Sequence, residues 1–225
     1  ECDGGYAQFT KIDERNVYPV NSTMSDAELA TFSCSYSTAE GMLSSANVGE
    51  GDRVLITGAS GGVGSALIQL AKRRGAYVIA MASVAKHYEV SKLNPDAILP
   101  RSPKDLAKAL KDATGSDTVS VVADIVGGDY FASLIDVLER GGRYTCSGAI
   151  AGPIVNLDLR TFYLRDLTFT GSTVNPPHIF TDLVGYIERG EIKPMLAAEF
   201  PLVDSQKAQQ AFIDKLHTGN IVVSP

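Results

Sequence analysis

Strand, glycine turn and helix follow one another in Arg53-Val54-Leu55-Ile56-Thr57-Gly58-Ala59-Ser60-Gly61-Gly62-Val63-Gly64, and this order constrains the fold more than any other stretch. Val54 to Ile56 is apolar and uncharged, as in a strand buried on both faces of a parallel sheet. Behind the glycines, Ser65 to Arg74 has apolar residues at helical spacing, ends on cations and stops at Gly75. A helix N-terminus offers unpaired N–H groups and partial positive charge, and glycines let a pyrophosphate come close to them. Against the pattern G-x-G-x-x-G, the matching positions are Ala59, Gly61 and Gly64, with alanine in place of the first glycine and Gly58 beside it. A second apolar strand, Tyr77 to Ala82, completes a β-α-β unit of about 30 residues. That context favours dinucleotide binding by Ala59, Ser60, Gly61, Gly62, Val63 and Gly64 over a turn that only packs helix on strand.

The remaining chain keeps alternating. Residues 1 to about 22 alternate weakly and predict short antiparallel strands and connectors. Ser25 and Glu28 make a capping box for a helix running into Cys34, and Tyr36 to Ala46 continues at helical spacing. Downstream come helical signal at Lys86 to Leu93, a strand at Ala97 to Leu99, and a helix opened by Ser102-Pro103-Lys104-Asp105 and reaching Ala113. The strand Val119 to Asp124, a helix from Asp129 to Glu139, Gly141-Gly142 and the strand Arg143 to Ser147 follow. A short helix at Leu157 to Leu164, the strand Leu167 to Gly171 and a Pro176-Pro177 helix through Arg189 come next. The tail holds Glu199 to Leu202, a helix from Ser205 to Leu216 and Asn220 to Val223. Strands alternating with helices of this length predict a doubly wound α/β fold, a Rossmann parallel sheet with helices on both faces.

With 225 residues the chain is long enough for one domain or two small ones. A net charge of -6 argues against nucleic acid as a partner, since phosphate backbones need a basic face. No apolar run of membrane-spanning length and no signal-peptide pattern occur, which points to a cytoplasmic protein without a membrane partner. Three scattered cysteines, Cys2, Cys34 and Cys146, make neither a disulfide framework nor a four-cysteine zinc site. The chain opens at Glu1 without methionine, in a segment resembling the middle of a structure, so an upstream portion is expected.

Three stretches together, Asp3-Gly4-Gly5-Tyr6-Ala7-Gln8-Phe9, the cradle Thr57 to Gly64, and Ile187-Glu188-Arg189-Gly190-Glu191-Ile192-Lys193-Pro194, resemble the medium-chain dehydrogenase/reductases. That family includes zinc alcohol dehydrogenases and quinone reductases. The resemblance runs the whole length and implies a fragment lacking most of a GroES-like catalytic domain. Residues 1–35 would be the end of that domain with a connecting helix, 36–174 the dinucleotide-binding domain, and 175–225 the last helix of the cofactor domain and the return to the catalytic domain. It implies a two-fold homodimer through edge strands such as Leu167 to Gly171. The fragment alone would then bind NADP(H) without turning over substrate.

The end of the second strand bears on cofactor choice. NAD enzymes place an acid there that would repel a 2′-phosphate, whereas Met81 to Lys86 contains none and offers Ser83 as donor and Lys86 as cation. NADP is favoured over NAD, with a solvated lysine the alternative for Lys86. If Lys86 reads the phosphate, its replacement by alanine erases an NADPH preference and spares NADH.

By the same resemblance Cys34 stands where zinc alcohol dehydrogenases keep a ligand of the catalytic metal, the alternative being a buried helix cysteine. Thr38 would touch the nicotinamide. Asp124, Val126 and Gly127, with Ser147, Gly148 and Ala149, would line the nicotinamide half, though Asp124 equally suits a turn cap. Cys146 reads as core, Cys2 as a loop residue, and His87, His178 and His217 as surface residues. Lys104, Lys108 and Lys111 read as one solvated helix face. The implied activity is hydride transfer between NADP(H) and an alcohol, aldehyde or ketone, with zinc polarising the oxygen if Cys34 is a ligand. A zinc-independent quinone or enone reductase and a non-catalytic nucleotide-binding protein are the alternatives.

Overall fold

The computed structural model describes residues 5–225. Strands β1 (Arg53–Ile56), β2 (Tyr77–Ala82), β3 (Ala97–Pro100), β4 (Val119–Asp124), β5 (Leu138–Cys146) and β6 (Thr168–Gly171) form one sheet in the order β3-β2-β1-β4-β5-β6, parallel throughout. The helices are α1 (Asp26–Ala30), α2 (Ser37–Ser45), α3 (Gly62–Arg73), α4 (His87–Ser91), α5 (Leu106–Thr114), α6 (Phe131–Asp136), α7 (Leu159–Leu164), α8 (Pro177–Glu188) and α9 (Ser205–Asp214). This is the doubly wound Rossmann arrangement, and the strand order reverses between β1 and β4, where such sheets open a ligand crevice. A second, two-stranded parallel sheet pairs β7 (Leu196–Pro201) with β8 (Asn220–Ser224), with α9 as the crossover.

Alternation along β1 divides the core. Val54 and Ile56 pack with Leu43, Leu67, Ile68, Leu70 and Leu183 on the α2-α3-α8 face. Leu55 packs with Leu106, Leu110, Leu134 and Ile135 on the α5-α6 face. Each such buried aliphatic side chain contributes about 1.5–3 kcal/mol, so both faces of β1 anchor the turn that leaves it. Local signals set the helix ends: Ser25 and Glu28 close a capping box on α1, Asp105 caps α5, Gly115 ends α5 at φ 79°, and Pro177 stands at the start of α8.

The structure corrects several expectations. Residues 5–22 form no strand; the segment holds a 3-10 turn at Glu14–Asn16 capped by Asp13. Its alternation makes no buried face, since Tyr6, Phe9, Ile12 and Val17 are all exposed and, of its apolar residues, only Tyr18 and Val20 at its end are half-buried, and strands without a neighbouring ladder are not stable. Cys2 and the Asp3-Gly4 start of the matched motif lie outside the described residues. Pro103 and Lys104 precede α5 rather than opening it, because Asp105 takes the cap. The helix expected over Asp129 to Glu139 ends at Asp136, and β5 begins at Leu138, which pairs with Val119. Gly141 and Gly142 sit inside an irregularity of β5, where the register passes from Leu138 to Arg143 across the Val119/Val121 shift.

Candidate dinucleotide site

The turn after β1 is built so that α3 begins with unpaired donors. Gly61 N–H donates to Gly58 C=O at 3.0 Å, and Ser65 N–H to Gly61 C=O at 2.9 Å. Gly61 is the N-cap and supplies no side-chain cap. The N–H groups of Gly62, Val63 and Gly64 are therefore left at the positive end of a twelve-residue helix. Two glycines here have separate jobs. A Cβ on Gly64 would stand 2.2 Å from Gly58 O and 2.7 Å from Ala59 Cα, so Gly64 lets the helix seat on its own turn. A Cβ on Gly61 would meet only Gly58 O, at 3.5 Å, so the protein itself does not require glycine there. The space over Gly61 fits a pyrophosphate approaching the free N–H groups.

Asp124 closes β4 at the strand-order reversal and is fully buried. Its carboxylate accepts from Thr57 Oγ1 at 2.6 Å, Val126 N–H at 2.8 Å, Gly127 N–H at 3.2 Å and Tyr144 Oη at 2.7 Å. Both oxygens are engaged by the protein, which makes Asp124 the turn cap of the two alternatives. Burial first, and then the Asp124 charge, push the Tyr144 phenol far above its usual range, so it remains a donor. The cluster fixes the loop through Val126 and Gly127 against the loop Ser147 to Ala149: Ser147 N–H donates to Asp124 C=O, and Ala151 N–H to Val126 C=O. Cys146 is half-buried, with Sγ 3.2 Å from Gly148 O.

At the end of β2 the picture departs from the sequence. Ser83 is half-buried. Lys86 is not a solvated lysine, since its ammonium donates to Lys215 C=O at 2.7 Å and His217 C=O at 2.5 Å. Burial, then the nearby charges of Lys215 and Arg101, lower its pKa. Two histidines also differ from expectation. His87 is half-buried with Nε2 3.2 Å from Ala82 O, and His217 is half-buried with a buried Nδ1 that has no hydrogen-bond partner among the described residues. His178 is exposed. Lys108 and Lys111 share an exposed helix face, while Lys104 lies before the helix.

Between α1 and α2 the chain passes through a π-helical turn, Phe32–Tyr36. This turn carries Cys34, which is exposed in this chain. Thr38, one turn on, is half-buried. Among the described residues no group of three His, Cys, Asp or Glu side chains comes together; these residues by themselves do not fit a zinc site. Sequence reasoning missed the loop before β8. Gly219 N–H donates to Ser60 C=O at 2.8 Å, and Ser35 Oγ donates to Asn220 Oδ1 at 2.6 Å beside Gly62. An open cleft of about 560 Å³ bordered by Glu28, Glu89, Lys193, Met195 and His217 contains no cradle residue.

Fold and cradle together define a Rossmann-type dinucleotide-binding chain. Residues 62–189 match the model of the zinc-binding dehydrogenases, and the chain belongs to the medium-chain dehydrogenase/reductase family. It is 28% identical over 227 residues to an acryloyl-coenzyme A reductase of Sulfurisphaera tokodaii, covering 100% of this chain and 66% of that protein. It is 27% identical to the quinone oxidoreductase of Rattus norvegicus, covering 96% of this chain and 67% of that one. Among solved structures, a candidate alcohol dehydrogenase from Sinorhizobium meliloti 1021 superposes with a TM-score of 0.95 at 45% identity, over 99% of this chain and 62% of its own. A 2-octenoyl-CoA carboxylase reductase in complex with NADP and 2-octenoyl-CoA gives a TM-score of 0.86 at 25% identity, over 92% of this chain and 52% of its own. The chain thus spans about two thirds of its curated relatives' length. No helix among the described residues is long and apolar enough to cross a membrane.

Proposed function

We propose that the protein carrying this chain is an NADP(H)-dependent oxidoreductase that moves hydride between the nicotinamide and a small alcohol or carbonyl compound. The observation that carries this reading is the row of free N–H groups at Gly62, Val63 and Gly64, opposite an uncluttered Gly61, at the strand-order reversal of a six-stranded parallel sheet. Bound there, the dinucleotide supplies the hydride. The helix terminus holds its pyrophosphate, while Val126, Gly127, Ser147, Gly148, Ala149 and Thr38 border the nicotinamide half. Asp124 acts from behind, holding the loops. Absence of an acid from Met81 to Lys86, with the positive charges of Arg101 and Lys215 near the end of that stretch, favours a 2′-phosphate over a bare ribose.

A second reading, reduction of a conjugated carbonyl such as a quinone or enoyl thioester, is favoured by the names of the acryloyl-CoA reductase and quinone oxidoreductase relatives. In it, hydride goes to the β-carbon and hydrogen-bond donors hold the oxyanion. Domain limits at 35/36 and 174/175 and pairing of two copies through β6 belong to the same proposal. Titrating NADPH and NADH into the intact protein, then following NADPH oxidation with aldehydes, ketones, quinones and enoyl thioesters, tests it. Tighter NADPH binding with turnover of one class supports the proposal; binding of neither cofactor overturns it.

A further inference from the structure

Lys86 and the loop before β8 are 129 residues or more apart in sequence, yet the Lys86 ammonium, just beyond the C-terminal end of β2, donates to two carbonyls of that loop. The loop follows α9, with Lys215 as its C-cap in the left-handed conformation at φ 54°, a common way for a helix to end. The Lys86 ammonium donates to the carbonyl of this cap and to that of His217 two residues beyond it. A cation hydrogen-bonded to carbonyls just past a helix C-terminus is in a favourable place electrostatically. Lys215's own ammonium lies 3.3 Å from the centre of the Phe212 ring.

The same loop then reaches the phosphate turn. Four residues past Lys215, Gly219 donates its N–H to Ser60 C=O and forms a parallel bridge with Gly61. Asn220, bonded to Ser35, packs so closely on Gly62 that a Cβ there would fall 2.2 Å from Asn220 Oδ1. The turn is therefore shaped from both sides, by its own glycines and by a loop whose other end is fastened to Lys86.

We propose that Lys86 is a positioning residue: its ammonium latches the loop Lys215–Gly219 against the adenosine side of the cleft and, through Gly219, keeps the phosphate turn in shape for NADPH and NADH alike. This rests on the dinucleotide reading above and departs from the expectation that Lys86 reads the 2′-phosphate. Two of the three Lys86 donors go to these carbonyls, and a loop held this way acts on the pyrophosphate, which is common to both cofactors.

The test uses Lys86→Ala and Lys86→Arg in the intact protein, with both cofactors titrated and amide hydrogen exchange followed at Gly219 and Asn220 without cofactor. Lys86→Ala should weaken NADPH and NADH by a similar factor, about fivefold to tenfold, with their ratio kept within about twofold. Exchange at Gly219 should speed up, and arginine, which can also donate to two carbonyls, should restore both readings. Loss of NADPH affinity with NADH unchanged would overturn the latch in favour of direct phosphate contact, and so would unaltered exchange at Gly219. If the wild type binds neither cofactor, the dinucleotide reading falls, and the exchange measurement alone decides whether Lys86 holds the loop.

Discussion

Replacing Gly64 with alanine separates the glycine that builds the cradle from the one that serves its ligand. The added Cβ would lie 2.2 Å from Gly58 O and 2.7 Å from Ala59 Cα, against an ordinary limit near 3.4 Å, and both obstacles are backbone. The first turn of α3 must therefore retreat by more than an ångström. That movement lengthens the bonds Gly61 N–H to Gly58 C=O and Ser65 N–H to Gly61 C=O, now 3.0 and 2.9 Å. Overpacking of this kind costs about 1–3 kcal/mol, from which alanine's better helix propensity returns up to about 1 kcal/mol. A net loss of about 1–2 kcal/mol lowers the melting temperature of a chain this size by roughly 2–8 °C. Gly61→Ala is the contrast. Its Cβ meets only Gly58 O at 3.5 Å, and its φ of -84° suits any residue. Stability of Gly61→Ala should match or slightly exceed the wild type, while dinucleotide affinity falls at least tenfold because the methyl group occupies the phosphate's approach. Thermal denaturation without cofactor, followed by cofactor titration, reads both. Equal destabilisation by the two substitutions would refute the division of labour, as would a Gly64→Ala protein as stable as the wild type.

Three further outcomes are expected. Asp124→Asn leaves one acceptor oxygen and an NH₂ facing donors from Thr57, Val126, Gly127 and Tyr144; urea denaturation should show a loss of about 2–4 kcal/mol, and a loss under 1 kcal/mol would mean that the charge does not hold these loops. His217 has its pKa lowered, chiefly by burial and then by the charges of Lys86 and Lys215. Its folded pKa lies below the unfolded value near 6.5, so the neutral ring's contribution is complete above about pH 6.5 and declines as pH falls toward the folded pKa; protection of Gly219, taken relative to the intrinsic exchange rate at each pH, should fall over that window in the wild type and stay level in His217→Gln. Strand β6 is an edge of the sheet, and light scattering should give a dimer of the intact protein; a monomer at working concentration would refute pairing through β6.

What the sequence revealed followed from how local each cause is. Val54 to Gly64 declares strand, turn and helix within twelve residues, because the apolar run, the glycines and the cations ending the helix all act over short range. The capping box at Ser25 and Glu28 and the proline at the start of α8 were readable for the same reason. The end of α6 was not, since Leu138 leaves helical spacing to pair with Val119, a choice made by a neighbouring strand. Lys86 was visible as a cation, but its partners are carbonyls, which no side-chain pattern advertises. Cys34 was visible as a thiol, while the π-helical turn that carries it, and so the face it occupies, is not announced by residue spacing. The metal-ligand question lies beyond local pattern altogether, since ligands gather only through tertiary contact.

The hydrogen bond from Gly219 to Ser60 sets an order of events during synthesis. Strands β1 to β6 are complete once Gly171 has been made, and the α5-α6 face of β1 is then available to collapse, while the opposite face still awaits α8. The phosphate turn at that stage still lacks the strand segment that braces it, which is made 159 positions after Ser60. A nascent chain can therefore hold a folded sheet while its cofactor pocket stays loose. Dinucleotide capture, with the stabilisation that any ligand confers on the state it binds, arrives as a late, post-sheet step that closes folding instead of guiding it.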